Sequence, residues 1–522
     1  MFDLLFRGGM VLDGSGGPSL RADVGVLGDQ ITAVGDLSHA SATRVVDVSG
    51  RVIAPGFIDV HNHSEGWLLS HKNFWPKTSQ GFTTEVLMAD GISYAPVDRH
   101  NWREWIYYLR SLNGLRYEQY QGWQSIADYL SLLDRRTAQN VIAHVPYANC
   151  RVLAQGWGRH APDDFQMRQI RNEIRLGMEQ GCVGLSTGMD YVGECFASTD
   201  ELVEACKVIA PYQGLYVTHV RYKMGLLPAF REAVEIGRRS GARVHISHLK
   251  ATSTQDVDEV LAFCDWASRE VDFSFDVYPY QRGSTMLNYL LPYEVWDDGP
   301  LAVLSKLGKS EVLERFRIAL AQSGTPIERY TIAWTNTWDN STHHGKLLSE
   351  YVEEMGRSPE EALYHLLLEE NLATLLVIDS GDDQLIEPIL QHPKFMLGSD
   401  GIYFPDSVVH PRVYGSTGRL LGPCVREKRL FTLADAVYKM TLAPARRFGL
   451  AGRGQIAEGC FADLVIFDPD SVGDLATYDQ PHQVCTGIEQ VVVNGVVIVD
   501  NSQPVHFLGE ELPGRVLKYQ PV

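Results

Sequence analysis

The chain has 522 residues, is 45% hydrophobic and 21% charged, and carries a formal net charge of -19. That length suits one large barrel or two to three ordinary domains, and the acidic balance excludes a nucleic-acid partner, whose phosphates need a clustered positive surface. No apolar run is long enough to span a bilayer, and the start, MFDLLFRGGMVLDGSG, has an acidic residue at position 3 and no long apolar core. The eight cysteines (150, 182, 195, 206, 264, 424, 460 and 485) are scattered without a CxxC pair. Reduced thiols in a cytoplasmic enzyme are therefore expected.

In chain order, residues 1–54 read as short strands with turns: DLLFRGGMVLDGSG, ADVGVLGDQITAVG and TRVVDVSGRVIAPG. Residues 55–450 alternate apolar strand-like runs with amphipathic helical stretches. The strand candidates are GFIDVHNH, TTEVLMAD, NVIAHVPY, CVGLSTG, LYVTHVR, RVHISHLK, FSFDVYP and FMLGSD, with helices such as DDFQMRQIRNEIRLGMEQG and LPAFREAVEIGRRSG between some of them. Eight strands with helical crossovers predict an α/β fold, a (β/α)8 TIM-like barrel. Residues 285–345, rich in Trp, Tyr and Pro, break the alternation and read as an insertion over the barrel mouth. Residues 451–522 return to the β pattern of the N-terminus (ADLVIFDPD, IEQVVVNGVVIVDNSQ), with Asn494-Gly495 as a hairpin turn. The two ends are thus expected to form one small β-sandwich.

Several strand candidates end in an ionisable residue. His61 and His63 share one side of the first because side chains alternate along a strand. Asp90 ends the second, and His219, His248 and Asp400 end later ones. In a (β/α)8 barrel the C-terminal strand ends converge on one mouth. Four histidines and two carboxylates there would suit zinc or a similar divalent ion, which lowers the pKa of a bound water and polarises a carbonyl. A carboxylate not committed to the metal would move the protons. Taken singly, a histidine at a strand end is more often a hydrogen-bonded structural residue, and HxH alone is weak.

The phrase PGFIDVHNH after an N-terminal β segment resembles the metal-dependent amidohydrolase superfamily. GLSTGMDY, YVTHVR, HISHLK, DVYPYQRGST, LGSDG, HPRVYGSTGRLLG and KMTLAPARRFGLAGRGQIAEGCFADLVIFDP are together similar to the N-acyl-D-amino-acid deacylases, or D-aminoacylases, from about residue 2 to 500. The resemblance implies His61 and His63 as metal ligands, His219 and His248 as the principal zinc histidines, and Asp400 as general base and then general acid. It also implies Lys250, Tyr191, Tyr280, Ser284 and Arg412 around the substrate's carboxylate and carbonyl. A cationic clamp of this kind is physically reasonable, since Arg binds carboxylate as a bidentate fork and Lys adds a point charge. Pairing of Lys250 and Arg412 with acidic neighbours is the structural alternative.

The chain departs from those relatives in three places. Where they carry a zinc-ligating cysteine, in a phrase close to GNCGIS, this chain reads MADGIS with Asp90. A carboxylate keeps the negative charge and can bridge two ions, so Asp90 is expected to be a ligand in a site of one or two metals. As a harder donor it makes Mn2+, Fe2+ or Co2+ more compatible beside Zn2+. Tyr147 in VPYANCR replaces a histidine of the relatives, and Ser64-Glu65 replaces an acidic pair; both changes are expected on loops at the mouth.

The expected reaction is hydrolysis of an N-acyl-D-amino acid or a related carboxylated amide, on a small-molecule substrate and without a membrane. Relatives of this kind are often homo-oligomers. Opening of a cyclic amide such as a hydantoin or imide is the rival within hydrolases. A non-catalytic small-molecule-binding pseudoenzyme is the rival outside them, opposed by the joint presence of His61, His63, His219, His248 and Asp400.

Overall fold

The computed structural model describes residues 1–322, 324–509 and 511–521. Eight parallel strands lie where the apolar runs predict them: Phe57–Asp59, Phe82–Leu87, Asn140–Ala143 continuing into Val145–Pro146, Gly184–Gly188, Leu215–His219, Arg243–Ile246, Phe273–Val277 and Phe395–Leu397. The first three pair in order. The continuation of the third leads on through the fourth to the eighth. Between eighth and first, the Asp400 amide donates to the His61 carbonyl at 2.7 Å and Asn62 bridges Gly401. The barrel is therefore closed. Helices such as Asp164–Gln180 and Leu226–Ser240 turn Ile170, Ile174 and Met178, or Phe230, Val234 and Ile236, onto the strands. Their opposite faces are solvated, which is why the helical period was visible.

Both termini contribute to one nine-stranded sheet, ordered through Leu464–Phe467, Val52–Pro55 and Phe2–Val11. Its own core contains Leu4, Phe6, Val24, Ile31, Ile53, Leu464 and Val492. The hairpin Ile488–Val493 to Val496–Asp500 turns at Asn494 and Gly495, with φ of 47° and 78°. Two successive positive φ values are the reason for this Asn-Gly pair.

Two expected boundaries differ. The last strand of the sheet is Gln503–Pro504, and the C-terminal residues lie beneath the barrel, where the Leu517 amide donates to Val141 O at 2.7 Å and the Tyr519 amide to Gly181 O at 2.9 Å. The insertion is longer than 285–345: its antiparallel sheet joins Gly283–Met286 and Tyr330–Thr335 to Thr374–Ile378. The closing strand, Thr374–Ile378, is as apolar as a barrel strand, and its antiparallel pairing is what assigns it to the insertion.

Among the described residues no helix is long and apolar enough to cross a membrane. The eight cysteines are free, and all but Cys460 are buried.

Candidate active site

The strand ends deliver their side chains to one point. His61 Nε2 lies 3.5 Å from Asp90 Oδ1 and 3.8 Å from Asp400 Oδ1, while His63 Nε2 lies 3.7 Å from Asp90 Oδ2 and 3.2 Å from Asp400 Oδ1. His248 Nε2 is 4.0 Å from Asp90 Oδ1 and 3.0 Å from His219 Nδ1. Asp90, His248 and Asp400 have φ of 56°, 35° and 48°. Non-glycine residues hold such a backbone only where the surroundings over-determine it, and these cluster at active sites. Gly398 is small by necessity, since a Cβ there would stand 2.7 Å from Asp276 Oδ1 and 2.8 Å from the His61 Cβ.

Two groups of potential metal ligands result, His61–His63–Asp90 and Asp90–His219–His248, each with its ligand atoms within 4.8 Å of one another. Asp90 belongs to both. Each imidazole turns one nitrogen to this centre and the other to an outer partner. His61 Nδ1 faces Asp276 Oδ1 at 3.5 Å, and His63 Nδ1 faces Asn113 Oδ1 at 3.2 Å. His219 Nε2 faces Asp190 Oδ2 at 3.6 Å, and His248 Nδ1 faces the Tyr222 hydroxyl at 3.1 Å. Paired inner and outer contacts of this kind orient metal-binding histidines. Among the described residues, both ring nitrogens of His61, Asp90 Oδ1 and His219 Nε2 are buried without a hydrogen bond. Buried polar atoms are rarely left so. With nitrogen and carboxylate oxygen as the only donors, these residues fit a divalent metal.

The electrostatics follow from the packing. Burial alone would lower His61, but Asp90 and Asp276 on either side outweigh it and hold the imidazole well above the usual histidine range. Burial would raise Asp90, yet His61, His219 and His248 hold it below the usual carboxylate range. Burial, with His219 adding to it, pushes His248 down to about 3. Burial likewise opposes ionisation of Asp400, and the Arg412 guanidinium overcomes it, with Nη1 2.9 Å from Asp400 Oδ2.

Arg412 and Lys250 form a cationic corner beside this centre. Both lie against the Tyr278 ring, with Arg412 Cζ at 4.3 Å and Lys250 Nζ at 3.9 Å from its centroid. Lys250 donates to the carbonyls of Gln281 and Arg282 at 2.8 Å each. Burial, reinforced by Arg412, pushes its ammonium well below the usual range. The buried Tyr191 ring stands 4.7 Å from that of His219.

Three expected residues are engaged elsewhere. The Tyr280 hydroxyl donates to Asp474 Oδ2 at 3.1 Å, because the strand ends at Val277 and Pro279 turns the chain away. The Ser284 hydroxyl donates to Leu376 O at 2.7 Å within the insertion sheet. Tyr147 opens the helix Tyr147–Gln155 instead of lying on a loop, and its buried hydroxyl donates to Glu201 Oε1 at 2.6 Å. Glu65 likewise begins a short helix and is buried, accepting the Met88 amide at 2.8 Å. Sequence reasoning missed Asp276, Asp190, Asn113 and Tyr278. Asp276 and Tyr278 were signalled by polar groups inside the apolar run FSFDVYP, and Asp190 by its place in GLSTGMDY.

The amidohydrolase family model matches residues 44–264 and 383–499. The chain belongs to the amidohydrolase family. This amidohydrolase is 36% identical over 521 residues to a D-aminoacylase of Alcaligenes xylosoxydans xylosoxydans, covering 99% of this chain and 97% of that one. The solved N-acyl-D-glutamate deacylase of Bordetella bronchiseptica, bound to zinc and a phosphonate that mimics the tetrahedral intermediate, superposes with a TM-score of 0.83 at 32% identity and 99% coverage of both chains. A D-aminoacylase structure with a binuclear metal centre matches at a TM-score of 0.82 and 33% identity, covering 99% of this chain and 100% of that one. The amidohydrolase is therefore a metal-dependent hydrolase of linear amides of the N-acyl-D-amino-acid deacylase type.

Proposed function

We propose that the enzyme removes the acyl group from N-acyl-D-amino acids and that Lys250 and Arg412 hold the substrate's carboxylate. The observation that carries this reading is the cationic corner. The buried Arg412 and the half-buried Lys250 have one carboxylate, Asp400, between the metal-ligand candidates and themselves, and Lys250 makes no ion pair among the described residues. Burying an uncompensated charge is costly, so such a corner is built for an anion that arrives with the ligand.

A divalent ion held by His61, His63, Asp90, His219 and His248 would acidify a bound water and polarise the scissile carbonyl; zinc is the first expectation, with manganese, iron or cobalt made compatible by an oxygen donor at position 90. Asp400, kept ionised by Arg412, accepts the proton of the attacking water on a carboxylate oxygen and returns it to the leaving amine nitrogen. Tyr191, beside His219, is placed to donate to the oxygen on which charge develops. The carboxylate clamp fixes the amide relative to Asp400, which reduces the entropy lost on reaching the transition state. The preference for the D hand rests on likeness to the relatives.

The test is amine release from matched N-acyl-D- and N-acyl-L-amino acids, with hydantoins and cyclic imides alongside, using enzyme loaded in turn with zinc, manganese and cobalt. D-selective turnover is expected. Opening of a cyclic amide with silence on every acyl amino acid would overturn the proposal.

A further inference from the structure

Among the described residues the insertion supplies no metal-ligand candidate, yet it reaches one of them, His219, through the Tyr289 ring at 6.3 Å between centroids and through the Asp190 carboxylate. Asp190 follows the fourth barrel strand, is buried, and sets Oδ2 3.6 Å from His219 Nε2. The Tyr289 hydroxyl donates to that same oxygen at 3.0 Å, and the Tyr293 hydroxyl donates to Oδ1. Both tyrosines lie in short 3-10 turns of the insertion, Leu287–Leu290 and Tyr293–Trp296. Lys223, four residues past His219, fastens the same segment. It donates to the carbonyls of Tyr289 and Leu291 at 2.9 and 3.3 Å and lies 4.7 and 4.5 Å from the two tyrosine ring centroids.

We infer that Asp190 is a positioning residue that orients His219, and that Tyr289 and Tyr293 hold Asp190 in place for that task. His219 turns Nδ1 toward His248 Nε2, so its Nε2–H is the handle by which the ring can be aimed. A carboxylate facing this N–H as closely as Asp190 does, at 3.6 Å, favours the Nε2–H tautomer, biases the plane of the ring and makes the opposite nitrogen more basic. Asp190 can do so only if its own rotation is blocked, and the two phenol donors occupy both of its oxygens. Docking of the insertion thereby sets how tightly the Asp90–His219–His248 group binds its ion. The inference rests on the reading of His219 as a metal ligand.

The experiment measures zinc affinity of the full-length chain by competition with a chromophoric chelator after the protein has been stripped and reloaded. The variants are Asp190→Asn, the double Tyr289→Phe/Tyr293→Phe, and Trp338→Ala, an insertion side chain that is 85% exposed and is not among the Asp190 partners named above. Asp190→Asn and the double variant are expected to weaken one zinc equivalent by about 10- to 100-fold. The second equivalent and the Trp338→Ala affinity should stay at wild-type values, and far-UV circular dichroism should show every variant folded. Weakening by Asp190→Asn alone would overturn the coupling to the insertion, and unchanged affinity in both would overturn the positioning role. A wild-type protein that takes up no zinc, manganese or cobalt would overturn both together with the metal reading beneath them.

Discussion

The two halves of the barrel mouth solve opposite electrostatic problems. On one side, His61, His63, His219 and His248 surround Asp90, and buried nitrogen and oxygen atoms lack partners. On the other, Lys250 and Arg412 crowd one tyrosine ring. The first half has lone pairs in excess and fits a cation; the second has positive charge in excess and fits an anion. Asp400 stands on the boundary, 3.2 Å from His63 Nε2 and 2.9 Å from Arg412 Nη1. A substrate bearing both a carbonyl and a carboxylate can satisfy the two halves at once, with Asp400 between them.

Removing the boundary group tests this division most severely. Asp400→Asn should lower kcat by about 10²- to 10⁴-fold, the usual worth of a general acid–base group, with metal content measured by mass spectrometry unchanged. Loss of the metal together with activity would instead place Asp400 wholly in the cation-binding half. Perturbing the anion half should give a smaller and different effect. Lys250→Met should raise KM about 10- to 100-fold for an N-acyl amino acid, matching a charge-assisted hydrogen bond of roughly 1.5–3 kcal/mol. The corresponding amide without a carboxylate should show almost no difference between wild type and variant.

The smallest effect concerns the barrel interior below the mouth. His144 is fully buried with neither ring nitrogen hydrogen-bonded among the described residues. Burial, with His245 and His61 adding to it, lowers its pKa from 6.5 to about 3. Between those values the unfolded chain binds a proton that the folded chain excludes, so stability contributed near neutrality is lost as pH falls through this window. The loss from pH 7 to 5 is about 2 kcal/mol for this group. Urea titrations of His144→Leu should show a correspondingly shallower fall between pH 7 and 5. An unchanged slope would assign the acid sensitivity to other groups.

Much of this architecture was legible because its signals are local. Runs such as TTEVLMAD and RVHISHLK announce buried strands through their β-branched and apolar residues, and they carry their ionisable residues at the C-terminal end. The outer partners were not legible. Asp276 and Asp190 acquire their roles from His61 and His219, which come from other strands, and alternation along one strand says which face a residue takes but not what stands opposite. Tyr147 shows the same limit, since its place in the motif suggested the mouth and its partner, Glu201, lies on the next helix but one.

By itself the sequence determined the alternation of strands and helices, the β character shared by the two ends, and the inventory of histidines and carboxylates at strand ends. Those properties depend on residue type and on spacing within a few positions. Only the tertiary structure decided that Asp90 is common to two ligand groups, that Tyr278 and not Tyr280 underlies the cationic corner, and that the insertion grips Asp190. Each of these is a meeting of side chains far apart in the chain, and barrel closure sets the distances between them.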